Sequence, residues 1–144
     1  MRIIIQDPPD GAEESIVISV RAMTPKIARA IDMLKSPDDL TVYLDDEATL
    51  LPIWDVFYVE SMEQKTFVYG EKAVYRSRLR LYELEEILGS ADFLRASKQI
   101  IVNVRKIRSV QPAGGGRFAA KLVNGEMVII SRQFVAALKE RFGI

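Results

Sequence analysis

The sequence predicts a mostly β protein: an antiparallel sandwich or barrel with short helices, preceded by a small β-β-α unit. Two observations carry the prediction. From Leu40 onward, runs rich in β-branched and aromatic residues recur about every ten residues, which suits antiparallel strands and tight turns better than alternating βαβ units. Asn124-Gly125 also sits between two apolar runs, the strongest short-range hairpin signal a sequence offers.

In chain order, MRIII and SIVISVRAM read as two strands joined by the turn-forming DPPDG. A helix follows in TPKIARAIDMLKSP. Thr24 can act as its N-cap, Pro25 occupies a position that tolerates proline, and Ile27, Ala30, Ile31 and Leu34 recur at helical spacing. Ser36-Pro37 ends it and places a domain boundary after residue 38, so that residues 1–38 form the β-β-α unit and 39–144 the main domain. LTVYL and ATLLPI flank the acidic turn Asp45-Asp46-Glu47, and DVFYVES, KTFVYG and KAVYRS continue the strand series. LRLYELEEIL is a helix with Leu81, Leu84, Ile87 and Leu88 on one face, Glu83, Glu85 and Glu86 on the other, and Gly89 as C-cap. After the turn at PAGGG come the strands RFAAKLV and EMVII, and SRQFVAALKERFGI closes the chain as a helix.

Composition narrows the function. At 144 residues and 49% hydrophobic content the chain can close one core. It has no cysteine and no histidine, which removes thiolate chemistry, the commonest general base and the commonest metal ligand. That argues against an enzyme and against a metal or other cofactor. Without a signal-peptide core or an apolar run long enough to span a membrane, the expected location is the cytoplasm.

The net charge of zero conceals two opposite halves. Up to Glu63, five cations face thirteen acids; from Lys65 onward, fifteen cations face seven acids. Between Arg95 and Arg132 the only acid is Glu126, against eight cations. Such a field concentrates polyanions whatever the total charge. In FLRASKQIIVNVRKI, Ile100 to Val104 read as a strand covered on both faces, so Arg95 and Lys98 emerge before it and Arg105 and Lys106 after it. Duplex DNA gives these cations a use, because phosphates attract the cluster and Arg or Lys at a loop tip can donate to guanine O6 and N7.

Other candidates fare worse. Gly114 to Gly116 lack the GK[ST] and following helix of a phosphate-binding loop and read as a hairpin tip. The Asp45-Asp46-Glu47 turn lacks cation-loop spacing, and the glutamates of the helix have no pocket.

From about Leu40 to the end, the chain resembles the LytTR family of DNA-binding domains. DVFYVESMEQKTFVY is similar to the family's opening strand pair, RLRLYELEEIL to its "sL.eLe..L" helix, and FLRASKQIIVN to its motif F-x-R-x-(H/S)-(K/R)-S-x-x-V-N. KIRSV, the Asn-Gly hairpin and VIISRQF complete the order. The resemblance implies an elongated β fold whose loops enter successive major grooves of duplex DNA and bend it. Ser97, Lys98 and Gln99 would occupy one loop, with Lys98 the foremost base contact. Arg132 would stand on a second loop, Gln64 and Lys65 beside a third contact, and Arg95, Arg105 and Arg117 would serve phosphates. Asn103 reads as structural.

Serine at position 97 and glutamine at 99 depart from the family's frequent histidine and serine, so a target sequence does not carry over. The segment before the domain is too short for a receiver domain, which argues against phosphorylation as the switch. A homodimer to which the amino-terminal unit contributes is expected, because the resemblance implies paired half-sites and an acidic extension should avoid the DNA. Two functions follow: a sequence-specific transcription regulator, or an antagonist or accessory protein-interaction module on the same fold.

Overall fold

The computed structural model describes every residue except Ser36, Ser90 and Ala91, so the Ser36 part of the expected helix stop lies outside the described residues. Helix α1 (Pro25–Lys35) begins where Thr24 Oγ1 accepts the Ile27 amide at 3.3 Å, the cap its sequence predicts. Strands β1 (Asp39–Leu44), β2 (Glu47–Pro52), β3 (Tyr58–Met62), β4 (Lys65–Tyr69) and β5 (Val74–Ser77) follow, then helix α2 (Leu81–Leu88). Strands β6 (Phe93–Arg95), β7 (Ile100–Asn103), β8 (Ile107–Gly114), β9 (Arg117–Leu122) and β10 (Met127–Ile130) lead to helix α3 (Val135–Phe142).

All described strand pairs are antiparallel. They form a seven-stranded sheet in the order β2-β1-β5-β4-β3-β7-β6 and a three-stranded sheet in the order β10-β9-β8. The period-2 alternation of strands divides the core in two. Val42, Val59, Val68 and Ile101 pack with Leu81, Leu84 and Leu88 of α2. Val102, one residue on from Ile101, turns to the opposite face and packs with Ala120, Leu122, Val128 and Ile130 of the small sheet and Leu138 of α3. Strand β7 is therefore covered on both sides, as its sequence predicts.

Asn103 ends that strand with a buried amide. Its Nδ2 donates to the Val56 carbonyl at 2.8 Å, and its Oδ1 accepts the Arg105 amide at 3.0 Å. A second polar link joins the sheets, where the Tyr58 hydroxyl donates to Glu126 Oε2 at 2.8 Å and the Tyr58 ring stacks on Tyr69 with centroids 4.1 Å apart. Burial, followed by that bond to Glu126, pushes the Tyr58 hydroxyl well above the usual tyrosine range. Because the folded value lies above the unfolded one, this contact contributes fully through neutral pH and is lost only in alkali above about 10.

One expectation fails. Residues 1–24 contain no strand, although the DPPDG turn does form, with the Ala12 amide donating to the Pro9 carbonyl at 2.9 Å. A two-stranded ribbon is marginal by itself and needs a layer to cover its apolar face. Here Ile5 remains 93% exposed and Val17 82% exposed, with no such layer over them.

Candidate nucleic-acid interface

Three separate segments meet at one end of the large sheet. The first is the loop from Ala96 to Gln99 between β6 and β7. It is closed by the Ala96 amide donating to the Ile100 carbonyl at 2.8 Å and by Ser97 Oγ accepting the Gln99 amide at 3.2 Å. Lys98 and Gln99 are exposed at its tip. Ser97 Oγ thus helps to shape the loop as an acceptor, while its O–H is still able to donate.

The second segment is the junction of β10 and α3. The Ser131 amide donates to the Ala96 carbonyl at 2.7 Å, tying this junction to the first loop. Arg132 is exposed beside it. The β8–β9 turn lies against the stem of Arg132: a Cβ added at Gly116 would stand 2.8 Å from Arg132 Cδ and 2.9 Å from its Cγ. Gly116 also has φ +79, so no other residue fits there without strain. Lys98, Gln99, Arg117, Ser131, Arg132 and Gln133 consequently line one open cleft, together with Gly115. None of these lining residues is acidic.

The third segment is the β3–β4 turn, in which Glu63 and Gln64 both adopt left-handed backbone, at φ 51 and 64. It is joined to the first loop by the Ser61 amide donating to the Gln99 carbonyl at 2.8 Å. Non-glycine residues held in this conformation cost stability and cluster at functional sites. Gln64→Gly is therefore expected to raise stability by up to about 1 kcal/mol, read from the denaturant midpoint, while deleting the side chain the turn presents.

Two expected site residues are placed differently. Arg95 does not extend outward: its Nε donates to the Ser97 carbonyl, one terminal nitrogen to the Lys98 carbonyl and the other to Glu85 Oε2 on α2, each at 2.7 Å. Arg105 stands beyond the far end of β7, away from the cleft, with its Nε on Asp92 Oδ1 at 2.9 Å. That hydrogen bond leads the causes that raise its pKa further. Arg117 is exposed at the cleft and donates to the Gly114 carbonyl at 3.2 Å.

Sequence reasoning missed Gln133, although it directly follows the Ser-Arg pair. It also gave Gly116 no role beyond a turn, since contact with Arg132 across sixteen residues leaves no local signal.

The LytTr DNA-binding domain pattern matches residues 46–143, which include all three segments. The chain belongs to the LytTR family of DNA-binding domains. It is 27% identical over 100 residues to the sensory transduction protein LytT of Enterococcus faecalis, covering 69% of this chain and 41% of that protein. It is 25% identical over 112 residues to the transcriptional regulatory protein YpdB of Escherichia coli K12, covering 77% of this chain and 46% of that one. The chain thus spans less than half the length of either relative. It is 29% identical over 118 residues to an uncharacterized HTH-type transcriptional regulator of Staphylococcus aureus, SAR2449, covering 82% and 80%. Among solved structures, the LytTr DNA-binding domain of a methyl-accepting/DNA response regulator from Bacillus cereus superposes with a TM-score of 0.71 at 27% identity, over 76% of this chain and all of that one. The LytTR fold is accordingly the fold described above. No helix among the described residues is long and apolar enough to cross a membrane.

Proposed function

We propose that this LytTR protein is a cytoplasmic transcription regulator that binds duplex DNA sequence-selectively, inserts its loops into the major groove and bends the duplex. The observation that carries this reading is the convergence of Lys98, Arg117 and Arg132 on a cleft with no acidic lining residue. Lys98 and Arg132 read base edges from the two tied loops, and Gln99 adds an amide able to donate and accept. Gln64 and Lys65 contact the duplex from the third segment, and Arg117 serves a phosphate. Affinity should fall on the order of a hundredfold or more between roughly 50 and 200 mM salt. A nearly salt-independent affinity would leave the interaction-module reading in its place.

Arg95 has a different role in this account: it clamps the reading loop. Arg95→Met should reduce discrimination between the preferred duplex and a scrambled one, because the Ser97 and Lys98 carbonyls lose their common donor. Arg95→Lys should restore little, since an ammonium cannot reproduce the guanidinium's planar fork. A phosphate contact would instead weaken both duplexes equally, and paired titrations separate the two outcomes.

The amino-terminal segment supports a homodimer. Ile16, Val17, Ile18 and Val20 are all exposed, an apolar run that suits a segment whose covering layer comes from a second copy. Sedimentation of the full chain and of a chain starting at Asp39 tests this; equal monomer masses exclude it.

A further inference from the structure

We propose that Arg78, with Arg76 beside it, forms an additional phosphate-binding patch on the uncovered half of the large sheet, outside the three loop contacts. This rests on the DNA-binding reading and lengthens the footprint that reading implies.

The small sheet covers the large one only around β3, β7 and β6, where Val102 packs against Ala120 and Leu122. On the same face, β4, β5 and β1 present Phe67, Arg76 and Tyr43 in cross-strand register. Arg76 lies over the Phe67 ring at 5.2 Å, and Arg78 over the Tyr43 ring at 4.1 Å. Each cation–π contact holds its guanidinium at a ring while the side chain stays exposed to solvent. Neither makes an ion pair with a carboxylate among the described residues, whereas Arg95 and Arg105 both do.

Position supplies the ligand. Thr66 pairs with Ser77, which puts Arg78 beside Lys65 at the end of the sheet that carries the third segment. From the Lys98 loop, the path across β7, β3, β4 and β5 takes three strand steps, or about 14 Å. The major groove is roughly 12 Å wide, so a cation at that distance from one inserted in the groove meets the flanking backbone. An exposed arginine held at a ring and free of a carboxylate partner among the described residues is suited to a phosphate diester there.

The test uses the full-length chain with two duplexes, one carrying the sequence that the chain enriches and one scrambled. Arg78→Ala should weaken both by the same factor, about three- to tenfold, and reduce the salt slope by about one. Arg78→Lys should recover part of the loss. Ethylation of phosphates flanking the Lys98 groove should impair the unmodified chain but not Arg78→Ala. If the unmodified chain binds and Arg78→Ala matches it on both duplexes, the patch is refuted while the DNA reading stands. If the unmodified chain binds neither duplex, both fall. Intact DNA affinity with lost regulation in cells would assign the patch to a protein partner and overturn the phosphate role.

Discussion

Arg132→Ala is expected to weaken binding to the preferred duplex by about 1–3 kcal/mol and to flatten the preference at one base position, with Lys98→Ala doing the same at another. Both side chains are exposed, so neither substitution should disturb folding. Their effects should not simply add, because the hydrogen bond from the Ser131 amide to the Ala96 carbonyl ties the two loops together. Gly116→Ala provides a third view of the same site. Its added methyl would meet the Arg132 stem within 3 Å, so it should impair binding while leaving the Arg132 charge in place. Titration of each variant against the preferred duplex and its single-base variants checks all three.

Asn103→Ala is expected to have the largest effect on stability, about 2–3 kcal/mol. It would orphan the buried Val56 carbonyl and remove the acceptor of the Arg105 amide at the end of the central strand. The cost falls on folding rather than on contact with DNA, since Asn103 lies at the opposite end of β7 from Lys98. The denaturant midpoint should drop with an unchanged slope, and the melting temperature should fall by roughly 5–10 °C. Asn103→Asp keeps the acceptor but loses the donor and buries a charge, so it should be no milder. An unaltered midpoint in Asn103→Ala would show that Val56 and Arg105 find other partners.

The parts of this molecule that depend on local chemistry were readable in its sequence. Asn124-Gly125 closes the β9–β10 hairpin, Thr24 caps α1, and the unbroken Ile100–Val102 run marks a strand with both faces covered. The loop cation at 98 is legible for a related reason, since a core strand expels charge to its ends, whereas Arg132 is singled out only by the resemblance of VIISRQF to the family pattern. What depends on distant partners was not legible. Arg95 and Arg105 looked alike as cations flanking β7, and only the tertiary positions of Glu85 and Asp92 separate their roles. Gly116 resembled any turn glycine until Arg132 was placed over it. The amino-terminal hairpin is expected from β propensity and the DPPDG turn, but neither can supply the layer that Ile5 and Val17 lack.

The central claim is that the cleft between the Lys98 loop and the Arg132 junction reads sequence. Selection of bound fragments from a random duplex library by the full chain tests it most directly, with the double variant Lys98→Ala/Arg132→Ala run in parallel. The account predicts a defined motif for the unmodified chain and its loss in the variant, with salt-dependent residual binding retained. Absence of any enriched motif, or the same motif from both proteins, would contradict it.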